Sequence, residues 1–340
     1  MKVFFFFFLI AAPLLAFDDF DQCMGKESGF YRYLQKPEDL ACLTRFREIY
    51  ERSEDLLAHP SGEGKIPRVV HFIWLGPRPF PLESVENVRT WVELHPDWTF
   101  KLWTDRDRHL PCAQMQKVLV ESFSFHLLEK EYRSSKNWGE KADILRYEIL
   151  FREGGIYVDH DANCLCSFLP LADSFDLFCG LEAPHPLLAG QNLTLGNGVI
   201  GARSGHPLIE ETLKKIASRW ERIGHAFRGE DGFNRTERVL NRTYTALTEA
   251  VKENIGKGET RDLVLPAAYF FAKGGIPSLY SRHFYRNAWA DDDPQDALQG
   301  HMKRIHKIEQ KIKRVHILLV AILGIQLIWL GFRLKKRKKA

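Results

Sequence analysis

Two aspartates, Asp159 and Asp161, stand one residue apart directly after a short apolar run at residues 156–158, and a glycine pair, Gly154 and Gly155, precedes that run. Carboxylates at this spacing can face one divalent cation together, and a hard ion such as Mn²⁺ or Mg²⁺ bridges readily from carboxylate to diphosphate oxygens. The chemistry this serves is departure of a nucleoside diphosphate, whose developing negative charge a bound metal stabilises. In open α/β sheets ligands bind beyond the carboxyl ends of strands, which is where this pair falls. His160, between the two carboxylates, is assigned no role.

Upstream, Asp143 and Arg146 are three residues apart in a segment, 138–153, whose Ala142, Leu145 and Ile149 form an apolar stripe. Residues at i and i+3 share one face of a helix. An isolated pair of this kind reads as a surface salt bridge. Placed one helix before the aspartates, it reads better as a source of ribose and phosphate contacts.

The elements that must position these groups alternate in type. Residues 66–74 (IPRVVHFIW) form a β-rich run stopped by Gly76 and Pro77, which is a strand feeding a loop. Ser84 then caps a segment whose Val85, Val88 and Val92 recur at helical spacing, and residues 99–103 read as the next strand. The unit is β-α-β. A helix over 138–153 leads through the glycine pair into the strand at 156–158. Further strands are expected at 177–181 and 198–202, with a helix over 206–220. The order is that of an α/β sandwich. Residues 17–64 lack a strong strand and form a helical preface to it.

Both ends lie outside this domain. Lys2 followed by an apolar run with small residues at Ala11, Ala12 and Ala16 reads as a signal peptide over 1–16, or as an uncleaved anchor. Residues 294–314 form a basic helical stalk, 315–332 are apolar enough for a transmembrane helix, and 333–340 are a basic tail. That tail alone carries six positive charges, and leaving it out takes the net charge from +4 to −2, so nothing argues for a nucleic-acid partner. Basic clusters flank both sides of the span, so the positive-inside rule does not decide its orientation. Lys336 and Lys338 stand where a dilysine retrieval signal of the endoplasmic reticulum would have them. Six cysteines follow the leader, and Cys23 with Cys42 is the first pair to test for a disulfide, whereas Cys164, Cys166 and Cys179 suit buried thiols equally well. Sequons at Asn192, Asn234 and Asn241 fit a lumenal domain.

The segment NWGEKADILRYEILFREGGIYVDHD resembles the signature of the DXD-containing sugar-binding glycosyltransferases. That family includes fungal α-mannosyltransferases, inositol phosphoceramide mannosyltransferases and lactosylceramide α-galactosyltransferases, and large clostridial glucosylating toxins carry a related version. IPRVVHFIWLG upstream and NGVIGARSGHP downstream continue the resemblance in one order. It implies a GT-A type, Rossmann-like nucleotide-sugar-binding domain over 65–293, a metal ion, and transfer with retention of configuration. By the same resemblance Asp159 and Asp161 bind metal and donor, Trp74 stacks near the nucleoside base, Asp143 and Arg146 hold sugar and phosphate, and Tyr157 and Asn197 line the donor pocket. The stretch HFYRNAW resembles a late His and Trp motif, making His283 a metal or pyrophosphate ligand and Trp289 a lid residue; Ala288 replaces the usual Ser.

The implied partners are a nucleotide-sugar donor, a glycan or glycolipid acceptor such as an inositol phosphoceramide, and a membrane. GDP-mannose, UDP-galactose and UDP-glucose all serve relatives. The implied location is a secretory membrane, endoplasmic reticulum or Golgi, with a lumenal catalytic domain; a bacterial source requires a cytosolic or host-delivered one. Two other readings remain open, a metal-dependent phosphohydrolase and a non-catalytic sugar-nucleotide-binding protein.

Overall fold

The computed structural model describes residues 19–286, apart from 61, 63, 64 and 187, together with Val315. The chain divides into two compact units, 1–286 and 287–340, and the first is the subject below. The leader, Trp289, the stalk, the apolar stretch after Val315 and the basic tail lie outside the described residues. Among the described residues no helix is long and apolar enough to cross a membrane.

Nine strands are described: β1 Val69–Ile73, β2 Thr99–Thr104, β3 Met115–Leu119, β4 Gly155–Val158, β5 Ala162–Cys164, β6 Leu177–Leu181, β7 Leu195–Ala202, β8 Asp262–Leu265 and β9 Ser281–His283. Seven make one sheet in the order β3-β2-β1-β4-β7-β6-β8, and β5 pairs with β9 in a separate ribbon. The architecture is mixed α/β, as expected. β3, β2, β1 and β4 run parallel, β8 is parallel to β6, and β7 runs antiparallel to both its neighbours. Every residue of β4, β6 and β7 is buried. That removes the alternating pattern of a half-exposed strand and means that both faces of the sheet centre are covered.

The helix Trp138–Glu153 lies where the sequence predicts it. Asn137 caps it by accepting the Glu140 N–H (2.8 Å), and it stops at Gly154. Gly155 follows with φ +102°, and a Cβ there would stand 2.7 Å from the Val69 carbonyl oxygen and 2.8 Å from Nε2 of His71. Only glycine lets the chain turn from helix into a strand wedged so tightly against β1. His71 itself is buried between the Gly154 carbonyl (2.9 Å) and the Trp103 indole N–H (3.1 Å). Its Nδ1 therefore accepts and its Nε2 donates, which defines a neutral ring, and burial pushes its pKa down to about 4.

Several boundaries differ from the sequence reading for identifiable reasons. The first strand begins at Val69 rather than at residue 66, since Pro67 has no N–H for a ladder. Ser84 is not a cap: the helix Leu82–Leu94 starts after Pro81, and Ser84 is buried inside its first turn. β7 starts at Leu195, earlier than residue 198, through Gly196, where the Phe271 ring leaves no room for a Cβ (2.5 Å). The helix Pro207–Ala226 runs past Trp220 because Ile223 continues its buried face. Residues 20–58 form helices, and Tyr50 from the helix Pro37–Arg52 reaches into the core, its hydroxyl 2.9 Å from that of Tyr269. Cys42 is a free thiol, so the Cys23–Cys42 bridge is not formed; Cys164 and Cys179 are buried.

Candidate metal and donor site

The backbone N–H of Asp159 donates to the Gly198 carbonyl (2.8 Å), extending the β4–β7 ladder by one bond and fixing where its carboxylate starts. β5 then pairs antiparallel with β9 in a register that sets Ala162 opposite His283. A single turn thus carries Asp159, His160 and Asp161, and the ribbon holds His283 against it. Nε2 of His283 lies 3.2 Å from Oδ2 of Asp159 and 3.5 Å from Oδ1 of Asp161. Asp161 is clamped on its other side, its Oδ2 accepting the Arg286 N–H (2.7 Å) and its carbonyl accepting the Phe284 N–H (2.9 Å).

These residues fit a divalent cation. One ligand atom from each of Asp159, Asp161 and His283 lies within 4.8 Å of the other two. Two carboxylate oxygens and one imidazole nitrogen can all donate to one such ion. Space is kept by Gly198, where a Cβ would stand 2.8 Å from both Oδ2 of Asp159 and Nε2 of His283.

The electrostatics follow from the same crowding. Burial works to raise the Asp159 carboxyl, but the Arg146 charge and the hydrogen bond and charge of His283 outweigh it and hold Asp159 well below the ordinary carboxylate range. His283 moves up: burial opposes its proton, and the Asp159 hydrogen bond with the charges of Asp161 and Asp159 prevails. For Asp143, burial wins, raising its pKa against the Arg146 charge and the Thr243 hydrogen bond.

Asp143 and Arg146 are joined to this centre. Arg146 Nη2 is 2.7 Å from Oδ1 of Asp143 and its Nη1 is 3.4 Å from Oδ1 of Asp159, so one guanidinium links both carboxylates. It lies 4.2 Å from the centroid of the Tyr157 ring. Tyr157 is 2% exposed and donates its hydroxyl to Oδ1 of Asp159 (2.6 Å), so it reaches the pocket through that carboxylate. Asn197 donates from Nδ2 to Oδ1 of Asp143 (3.1 Å), and its carbonyl accepts from Arg146. The structure brings Asp143, Arg146, Tyr157, Asn197, Asp159, Asp161 and His283 together. Trp74, at the start of the loop after β1, is half-buried and meets His160 edge-on at 4.8 Å between centroids.

Three supporting residues were missed in the sequence. Residues Leu240–Tyr244 form a π-helical turn, a geometry that recurs at functional sites. Its successive side chains reach three acids: Arg242 is 3.3 Å from Glu140, Thr243 donates to Oδ2 of Asp143 (2.6 Å), and Tyr244 donates to Oε1 of Glu182 (2.8 Å). The other Glu182 oxygen accepts from Lys273 (2.8 Å). Burial pulls Glu182 up, and the Lys273 charge and these hydrogen bonds overcome it, so that it is lowered. Three adjacent donors, Arg242, Thr243 and Tyr244, in an otherwise helical stretch were the available signal.

Residues 81–176 match a family described as the glycosyltransferase sugar-binding region containing DXD motif. Inositol phosphoceramide mannosyltransferase 3 of Schizosaccharomyces pombe is 28% identical over 151 residues, 44% of this chain and 37% of that protein. Subversion of eukaryotic traffic protein A of Legionella pneumophila is 27% identical over 210 residues, 57% of this chain and 30% of that protein. The chain thus spans well under half the length of either relative. Of solved structures, the PaToxG glycosyltransferase aligns with a TM-score of 0.42 at 16% identity, covering 64% of this chain and 80% of that one. The stretch from the start of the helix Leu82–Leu94 to beyond the Asp159–Asp161 pair is therefore similar to the sugar-binding region of DXD-containing glycosyltransferases.

Proposed function

We propose that this chain is a metal-dependent glycosyltransferase of the GT-A type, which moves a hexose from GDP-mannose or a UDP-hexose to a glycan or glycolipid, such as an inositol phosphoceramide, with retention of configuration. The observation that carries this reading is the convergence of Asp159, Asp161 and His283 within 4.8 Å at the carboxyl end of β4, beside the Asp143–Arg146 pair. The matched sugar-binding region and the mannosyltransferase relative support it.

In this reading Asp159, Asp161 and His283 hold Mn²⁺ or Mg²⁺, which when bound supplies positive charge to a departing diphosphate. Arg146 keeps Asp159 ionised and in place, and Asp143, backed by Asn197 and Thr243, keeps Arg146 oriented. Asp143 and Arg146 also face the donor's sugar and phosphate, Asn197 lines the pocket, and Trp74 stacks near the base. Inversion requires a free general base. The carboxylate of Glu182, beside this centre, is committed to Tyr244 and Lys273, which favours attack on the donor's own face with the leaving phosphate accepting the proton. Residues 315–332 would anchor the enzyme in a secretory membrane with the domain in the lumen, consistent with the sequons.

The test is to incubate the protein with GDP-mannose, UDP-galactose or UDP-glucose and Mn²⁺, following nucleoside diphosphate and free sugar with and without acceptor. Sugar release or transfer with intact nucleoside diphosphate is expected from one of them. Nucleoside monophosphate as the product would make the protein a phosphohydrolase, and binding without turnover would make it a binding protein.

A further inference from the structure

His160 stands between the two aspartates, and its surroundings give it a task. Its Nδ1 is 2.8 Å from the Ser84 hydroxyl, and its carbonyl accepts from Nδ2 of Asn87 (3.3 Å), both from the helix Leu82–Leu94. Its ring meets Trp74 edge-on at 4.8 Å and Phe80 at 6.0 Å, while Trp74 and Phe80 are themselves edge-on at 5.7 Å. The three rings form one closed cluster, with one member belonging to the aspartate turn.

The loop carrying Trp74 is braced from the far side. The Trp74 indole donates to the Arg78 carbonyl (2.9 Å), which also accepts from Nη1 of Arg108 (2.6 Å). Arg108 pairs with Asp105 (3.0 Å), and Asp105 accepts the Gly76 N–H (3.1 Å). With the loop fixed to β2's end and His160 fixed to the helix, the contacts of His160 with Trp74 and Phe80 join the aromatic platform to the aspartate turn.

We propose that His160 is a positioning residue that locks Trp74, the platform for the donor's base, at a set distance from Asp159 and Asp161, which hold its diphosphate. A nucleotide spans both ends at once. A spacing fixed before it arrives leaves less freedom to lose on binding. The role rests on the nucleotide-sugar reading above.

The test is a double-mutant cycle read in nucleotide affinity. Binding of UDP and of GDP, each with Mn²⁺, is measured by calorimetry for the full-length protein, His160→Ala, Trp74→Ala and the double variant, and Mn²⁺ alone is titrated in parallel. An edge-on aromatic contact is worth about fivefold in an equilibrium constant. His160→Ala is therefore expected to weaken nucleotide binding by about tenfold in the wild-type background and by only about twofold where Trp74 is already alanine. Equal weakening in both backgrounds overturns the proposal. So does a loss of Mn²⁺ affinity as large as the loss of nucleotide affinity, which would confine His160 to the metal. Should His160→Ala fail to fold, Ser84→Ala takes its place in the cycle, with about threefold expected and the same criterion of non-additivity. A wild-type protein that binds neither nucleotide overturns the nucleotide-sugar reading itself, and the proposal with it; nucleotide binding with additive variants overturns the proposal alone.

Discussion

Nε2 of His283 lies 3.2 Å from Oδ2 of Asp159, although 124 positions separate the two in the chain. The β5–β9 ribbon makes this contact, and Gly198 on β7 makes room for it. A methyl group at that glycine would press on both ligand atoms. Gly198→Ala is expected to fold, and to lower Mn²⁺ affinity by at least about tenfold, the scale seen when residues supporting metal ligands are altered. Calorimetric titration with Mn²⁺ checks this, and unchanged affinity in the folded variant would contradict the assignment of this space to a metal.

Asp143 and Arg146 are buried together, and Arg146 is shared with Asp159. Removing one partner leaves a buried charge uncompensated, at a cost of about 3 kcal/mol. Asp143→Asn is therefore expected to lower stability by that order and kcat/KM for the donor by at least about tenfold. Urea unfolding and steady-state kinetics measure the two. Wild-type stability would mean that Arg146 finds its balance in Asp159 alone.

Thr243→Val separates orientation from charge at the same place. It removes the 2.6 Å hydrogen bond to Asp143 and leaves the ion pair. A cost of about 1 kcal/mol is expected, with kcat/KM reduced less than in Asp143→Asn. A larger kinetic defect than Asp143→Asn would place Thr243 in contact with substrate.

His71 gives the fold an acid limit. Its folded pKa is pushed from 6.5 to about 4, because burial disfavours the charged ring. Above pH 6.5 the ring is neutral folded or unfolded, and its contribution is constant. As pH falls from 6.5 to about 4 the unfolded chain takes up a proton that the folded ring refuses, so about 3 kcal/mol of stability is lost across that window. The difference in unfolding free energy between wild type and His71→Gln isolates this term. A difference that stays flat from pH 7 to pH 4.5 would contradict the buried neutral ring.

How much of this was legible in the sequence depends on the range over which each feature is specified. The aspartate pair, the glycine pair and the helix Trp138–Glu153 are local: capping, periodicity and glycine conformation fix them within one stretch of chain. The β-α-β opening is legible for the same reason. Thr243 and Tyr244 were not, because a π-helical turn has no hydrophobic period of its own and their partners, Asp143 and Glu182, lie far away in sequence. Ser84 looked like a helix cap by residue type; Pro81 supplies the entry geometry, and the Ser84 hydroxyl is turned to His160 instead. For His160, a position between two ligands carries no pattern, and only the packing of Trp74 and Phe80 against it reveals what it touches.

In the proposed function, Asp159, Asp161 and His283 hold a metal on which sugar transfer depends. The most direct test is turnover of the nucleotide sugar that the wild type accepts, measured for wild type and Asp161→Asn with Mn²⁺ and with excess chelator. Asp161→Asn is predicted to reduce turnover by at least about a hundredfold while keeping its thermal midpoint within a few degrees, and chelator is predicted to abolish wild-type turnover. A folded Asp161→Asn protein with a near-normal rate, or wild-type turnover undiminished by chelator, would contradict the account.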